Sequence, residues 1–257
     1  MSRLKDKVAI ITGAADGIGL AISEAFVKEG AHILMADINE EKCKKEAERL
    51  ANGNSTVIYM HCDIGDTKAV QSLAETCINT FGKIDILVNN AAVAIPGEVT
   101  KMTDDDWDTL MNINLKGAFR SIRACLPHMI SAKCGSVINI SSTQAHRSWD
   151  DWTAYAAAKG GLLSMTNQLA GQFGNKNIRF NSISPGTILT PMLAERVKTE
   201  GEEFLKASIN QASMLRCGKP EEVAMTAVFL ASDEAAFING DDIKIDGGLS
   251  TLPRYFE

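Results

Sequence analysis

Short apolar, β-branched runs alternate with stretches of helical period from one end of the chain to the other. Seven runs predict strands: Val8–Ile11, Ile33–Ala36, Val57–His61, Ile86–Asn89, Val137–Ile140, Phe180–Ile183 and Ile243–Ile245. Most are apolar on both faces, as expected where helices cover both sides of a parallel sheet. Amphipathic helices are predicted between them, over about 40–51, 67–81, 104–131, 152–174 and 220–231. Another starts after the first run, where Ile18, Ile22, Ala25, Phe26 and Glu29 keep helical spacing. Thr103 before Asp104, Asp105 and Asp106 reads as a helix cap with acids in the first turn, not as a metal site. The strand–helix alternation predicts an α/β, doubly wound seven-stranded parallel sheet, with its ligand at the carboxyl ends of the strands.

The junction of the first strand and helix carries the first chemistry. Val8-Ala9-Ile10-Ile11-Thr12 runs into glycines at positions 13, 17 and 19. Such a turn lets backbone approach a ligand closely, and the free N–H groups and positive end of the following helix face an anion such as a pyrophosphate. Asp37, at the end of the second strand, stands 18 residues beyond Gly19, close to the spacing at which a carboxylate takes the hydroxyls of an adenosine ribose. The same carboxylate repels a 2′-phosphate by roughly 4 kcal/mol per charge pair at contact, before screening. Positions 14–16 are Ala-Ala-Asp and Ile38-Asn39 follow the acid, so the local sequence offers no base to offset it. NAD is therefore expected rather than NADP. After the third strand, Asp63 can hydrogen-bond an adenine amino group with Ile64 packed on the ring, or simply form a turn.

Composition narrows the partners. The chain has 257 residues and a formal charge of −6 with no basic tract, which argues against nucleic acid or an anionic membrane. No linker, repeat or low-complexity stretch divides it, so one domain over 1–257 is expected. The charged N-terminal segment has no apolar run long enough for a signal peptide or membrane span. Six scattered cysteines without a C-x-x-C pair fit free thiols in a reducing cytoplasm, and four unclustered histidines predict no metal site.

Further along stand Asn89-Asn90-Ala91-Ala92, Asn112-Ile113-Asn114-Leu115-Lys116-Gly117, Ile140-Ser141-Ser142, Tyr155-Ala156-Ala157-Ala158-Lys159, Ser184-Pro185-Gly186-Thr187-Ile188-Leu189-Thr190 and Ile245-Asp246-Gly247-Gly248. With the glycine turn and Asp37, this set resembles the short-chain dehydrogenase/reductase family over essentially the whole chain. The resemblance implies a Rossmann-type fold and oxidoreduction between a secondary alcohol and a ketone, or a sugar hydroxyl and its keto or lactone form. It makes Tyr155 the general acid/base, Lys159 the holder of the nicotinamide ribose and the group that lowers the tyrosine pKa, and Ser142 the partner of the substrate oxygen. Asn114 would anchor a water linking Lys159 to solvent. Gly13, Asp16, Gly17, Ile18 and Gly19 would surround the pyrophosphate and ribose, Asp37 and Ile38 would stand at the adenosine, and Asn90 and Ala91 would line that side. The Ile188 backbone and Thr190 hydroxyl would fix the carboxamide. Glycine is usual where Ala92 stands, and the extra methyl should be tolerated. A phenol titrating near ~10 must drop by roughly 2–3 units to act as a base near neutrality. One ammonium within ~4 Å at an effective dielectric of about 20 supplies that much.

The segment Thr143–Trp152 should border the substrate. Its His146, Arg147, Asp150 and Asp151 beside Trp149 and Trp152 suit a sugar or polyol, or else the indoles pack at a subunit contact or helix start. The resemblance makes about 191–216 a lid, with Met192, Leu193, Phe204 and Met214 as inward residues, and implies a dimer or homotetramer through the helices at 104–131 and 152–174. The tail Leu252–Glu257 is expected to reach a neighbouring subunit. A hydrophobic cyclic alcohol such as a steroid, or a non-catalytic NAD-sensing role, stands as the alternative. An acyl-carrier-protein ketoreductase fits less well, because Asp37 opposes NADP and the net negative charge would repel an acidic carrier.

Overall fold

The structure is a computed structural model that describes residues 2–51 and 55–251. Its strands are β1 (Val8–Thr12), β2 (His32–Asp37), β3 (Val57–His61), β4 (Ile86–Asn89), β5 (Gly135–Ile140), β6 (Ile178–Pro185) and β7 (Asp242–Ile245). Its helices are α1 (Gly17–Lys28), α2 (Glu40–Leu50), α3 (Thr67–Phe81), α4 (Asp104–Asn114), α5 (Lys116–Ala132), α6 (Thr153–Phe173), α7 (Pro191–Glu200), α8 (Glu202–Asn210) and α9 (Pro220–Ala231). The strands form one parallel sheet in the order β3-β2-β1-β4-β5-β6-β7. The direction of winding reverses between β1 and β4, where Ile11 pairs with Val88, and a ligand crevice opens there beyond the strand ends.

Period-two alternation divides the apolar strand residues between two cores. Ala9, Ile11, Ile33, Met35, Ile86 and Val88 face Ile22 and Phe26 of α1 and Val223 and Ala227 of α9. Val8, Ile10, Leu34, Leu87 and Val137 face Leu73 of α3, Ile122 and Met129 of α5 and Ala170 of α6. Helices thus cover both faces, which is why strands such as β1 and β2 carry apolar residues on both. The Thr103 hydroxyl caps α4 by accepting from Asp106 N at 3.1 Å.

One predicted element is two. The stretch 104–131 breaks at Leu115 into α4 and α5. The Arg120 guanidinium reaches back to the Asn112 carbonyl at 3.1 Å and its Oδ1 at 2.7 Å. Gly117 lets Ile64 seat against the junction, where a Cβ would lie 2.7 Å from Ile64 Cδ1. Hydrophobic period carries across such a break, so the sequence pattern does not reveal it. The stretch Pro191–Arg216 is divided too, at Gly201, whose φ of +85° ends α7. The tail Leu252–Glu257 lies outside the described residues.

Candidate active site

A cavity of about 520 Å³ opens over the carboxyl ends of the strands, from Gly13 and Gly17 at one side to Tyr155 and Lys159 at its floor. Its first wall is built by backbone. Gly13 adopts φ +63°, a conformation that side chains disfavour. A Cβ on Gly19 would meet the Gly13 carbonyl oxygen at 2.0 Å. The turn is tied down by Asn90, whose Nδ2 donates to the carbonyls of Thr12 at 3.1 Å and Gly13 at 2.9 Å. Thr12 Oγ1 in turn accepts from the backbone N–H of Asn90 and Ala91. Asp16 caps α1 by accepting from Gly17 N at 2.7 Å. Gly13, Asp16, Gly17, Ile18, Asn90, Ala91 and Ala92 all line the cavity, while Gly19 supports it from beneath.

The cavity edge at Asp37 is polar and anchored. Asp37 accepts from Ala15 N on one oxygen and Asn39 N on the other, both at 2.9 Å, so its carboxylate is held at the cavity edge beside exposed Ile38. Asp63 accepts from Gly65 N at 2.7 Å and lines the cavity with Ile64. The local sequence offers no base near Asp37, yet α2 brings Lys42 Nζ into contact with the outer oxygen of Asp16. Lys42 is distant in sequence from the glycine turn, and only the packing of α2 beside α1 brings the two together.

At the other end the carboxyl end of β5 and the first turns of α6 converge. Ser142 follows β5, and its Oγ accepts from Gln144 N at 3.1 Å. Tyr155 and Lys159 sit one turn apart on α6, the tyrosine in edge-to-face contact with Trp152 at 5.2 Å. Tyr155 is hydrogen-bonded to Ser142, which pulls its pKa down, but burial is the larger influence and pushes it up to about 12. Lys159 is 2 % exposed. Its Nζ donates to the Ile140 carbonyl at 2.7 Å and lies 5.5 Å from the Tyr155 ring centre. Loss of water lowers its pKa to about 8. Burial is thus the largest influence on both groups in the protein alone.

Asn114 closes α4. Its Oδ1 accepts from Val93 N and its Nδ2 donates to Val93 O, both at 2.8 Å, so both ends of the amide pin the segment after β4. Thr190 caps α7, accepting from Leu193 N at 3.4 Å, with Pro191 at the first helical position. Ile188 bridges to Gly218 through the Leu189 N–H and Thr187 carbonyl of its neighbours, which leaves its own amide groups out of that pairing.

The substrate-side wall is more apolar than the sequence suggests. Gln144, Trp149 and Trp152 line the cavity, but His146 and Arg147 turn away. His146 Nε2 pairs with Asp242 at 2.8 Å, and Arg147 reaches the Leu249 carbonyl, because β7 and the chain after it offer acceptors there. Asp150 and Asp151 are exposed and outside the lining. Met192, Leu193 and Phe204 face the cavity, whereas Met214 is exposed beside Gly247. Two contributors went unnoticed in the sequence. The Arg196 guanidinium stacks between Trp152 at 4.7 Å and Phe204 at 4.2 Å, and Gln211 accepts from the Trp149 indole at 3.2 Å. Neither has a local signature, since each depends on α7 and α8 folding over the loop before α6.

The residues present fit a nicotinamide dinucleotide. The close-packed Gly13–Gly19 cradle, which a Cβ would fill, suits a pyrophosphate, and the cavity continues from Asp37 to Lys159 without a break. Comparisons with known proteins agree. A family model described as Enoyl-(Acyl carrier protein) reductase matches residues 13–250. The chain is 38% identical over 250 residues to a 3-oxoacyl-(acyl-carrier-protein) reductase of Thermotoga maritima, covering 96% of this chain and 99% of that protein. It is 39% identical over 246 residues to a D-threitol dehydrogenase of Mycolicibacterium smegmatis, covering 96% and 94% respectively. The crystal structure of levodione reductase superposes with a TM-score of 0.93 at 29% identity, covering 98% of this chain and all of the other. Fold, site and relatives together make the chain a member of the short-chain dehydrogenase/reductase family of oxidoreductases.

Proposed function

We propose that this chain is an NAD(H)-dependent dehydrogenase that interconverts a secondary alcohol and its ketone on a small polar hydroxyl compound such as a sugar or polyol. The observation that carries the reading is the Ser142–Tyr155–Lys159 group at the floor of a cavity that begins at the glycine turn. The bound nicotinamide supplies or takes the hydride and, when oxidised, adds a positive charge. In reduction, Tyr155 gives its proton to the carbonyl oxygen, which also accepts from the Ser142 hydroxyl. A phenol held up at about 12 is well suited to keep that proton until it is needed. In oxidation the proton returns to Tyr155 Oη, and the neighbouring positive charges must offset the desolvation that keeps the phenol neutral. Lys159, at about 8, is mostly charged at neutral pH, and one N–H goes to Ile140, leaving two for ribose hydroxyls. Thr190 keeps its hydroxyl proton for a carboxamide, and Asp37, placed for the adenosine ribose, supports NAD over NADP.

One domain spans 1–257, and α7 and α8 act as a lid, closing through the Arg196 stack on Trp152. Gln144, Ser208 and Gln211 supply hydrogen bonds for hydroxyl groups. D-threitol dehydrogenase, by its name, acts on such a compound. A second reading, a hydrophobic cyclic alcohol or ketone, rests on the walls of Trp149, Trp152, Met192, Leu193 and Phe204 and on the likeness to levodione reductase. Exposed Phe119 on α5, at 45 %, supports a dimer or tetramer, and the free cysteines support a cytoplasmic protein. No helix among the described residues is long and apolar enough to cross a membrane. The test is a panel of polyols, sugars and cyclic alcohols with NAD and NADP, read by reduced-cofactor absorbance. Turnover on polyols that Tyr155→Phe abolishes supports the first reading. Higher kcat/KM on cyclic alcohols favours the second, and turnover undiminished in Tyr155→Phe overturns both.

A further inference from the structure

The contact between α1 and α2 bears on coenzyme choice beyond Asp37. Asp16 uses one carboxylate oxygen to cap α1 at Gly17 N, and its other oxygen holds the ammonium of Lys42. Asp37 stands beside this pair, bonded to Ala15 N in the same turn and to Asn39 N at the start of α2. Asn39 in turn caps α2 by accepting from Lys42 N at 3.0 Å. Asp37, Asp16 and, through Asp16, Lys42 are therefore tied to one turn at the cavity edge assigned above to the adenosine ribose. Asp16 and Asp37 line the cavity, and Lys42 does not.

The ion pair is about 40 % exposed on each side, so it adds little to stability. Its consequence is the position of the ammonium. A lysine stem on the first turn of α2 is long enough to serve a phosphate at this edge, and an ammonium is an effective phosphate partner. We propose that Asp16 is a second determinant of coenzyme choice: it draws the Lys42 ammonium away from the 2′ position and cancels its charge. Asp37 repels a 2′-phosphate directly, while Asp16 withholds the cation that would offset that repulsion. This rests on the NAD reading above, and it predicts that removing Asp37 alone leaves NADP recognition incomplete.

The test uses binding, not turnover. Dissociation constants for ADP-ribose and 2′-phospho-ADP-ribose are measured by calorimetry on the full chain. The variants are Asp37→Ser, Asp37→Ser with Asp16→Asn, and that pair with Lys42→Met. Asparagine and serine both cap helices well, so Asp37→Ser with Asp16→Ser is measured in parallel. Asp37→Ser should raise affinity for the phosphorylated probe, and loss of the Asp16 charge should raise it about tenfold further, with either cap. Lys42→Met should return it to the level of Asp37→Ser while changing ADP-ribose affinity less than about twofold. The tenfold gain should also shrink as salt is added, as expected for a half-exposed charge contact.

No further gain on removing Asp16 overturns the inference, as does a gain that persists without Lys42. Loss of ADP-ribose binding in both capped variants overturns it as well, because Asp16 would then act through the cradle rather than through its charge. Wild-type protein that binds the phosphorylated probe as tightly as ADP-ribose overturns the NAD reading itself, and this inference with it.

Discussion

Lys159 is almost wholly buried with its charge, so replacing it should alter stability in a way that depends on pH. Burial lowers its pKa from 10.5 to about 8. That gap corresponds to about 3 kcal/mol at ~1.36 kcal/mol per unit. Below pH 8 the lysine is protonated in both folded and unfolded chains, and the folded state bears the whole desolvation cost. Between 8 and 10.5 the folded chain gives up the proton while the unfolded chain keeps it. The unfolded state then binds more protons, so stability rises with pH across that window, and the cost has gone above it.

Lys159→Met keeps an apolar stem and removes the titrating group. At neutral pH it should stabilise the chain by up to about 3 kcal/mol, less about 1 kcal/mol for the lost hydrogen bond to Ile140. The hydrogen-bond loss is present throughout the range, so the change in the difference with pH is the better quantity. The advantage of Lys159→Met should shrink by about 3 kcal/mol between about pH 7 and about pH 10.5. Urea unfolding followed by tryptophan fluorescence, at one protein concentration, measures it. Tyr155 and every other titrating group are common to both proteins and largely cancel. Parallel stability curves over the window would refute the buried, desolvated ammonium. The same variant should be nearly inactive: the charge is kept for the site at a cost to the fold.

Gly19→Ala places a Cβ 2.0 Å from the Gly13 carbonyl, against an ordinary contact of about 3.3 Å, so the cradle must open. Cofactor affinity should fall at least about tenfold with circular dichroism unchanged, and unaltered affinity would mean that the cradle is not where the pyrophosphate lies. Asn114→Leu strands the N–H and C=O of Val93, each costing about 1–3 kcal/mol if left unpaired, and thermal melting should fall accordingly. Arg196→Ala removes two stacking contacts worth about 0.5–1 kcal/mol each, so KM for substrate should rise several-fold with a smaller change in kcat. An unchanged KM would place α7 outside the binding step.

What the chain determines by itself is whatever depends on neighbours in sequence. Runs such as Val8–Ile11 are apolar on both faces because both sides of the sheet are covered, and that pattern survives without knowledge of what covers them. The Gly13–Gly19 spacing, Asp37 after β2, and Tyr155 with Lys159 on one helical turn are likewise local, and the cavity gathers them at one edge of the sheet. Tertiary structure alone decides contacts between distant segments. The break at Leu115 depends on Ile64 and Arg120, the turning of His146 depends on Asp242 in β7, and Lys42 meets Asp16 only because α2 packs beside α1. The same holds for protonation. A tyrosine and a lysine four residues apart suggest an acidified phenol, but the cost of burying both groups comes from the whole packed site, and it is the largest influence on each.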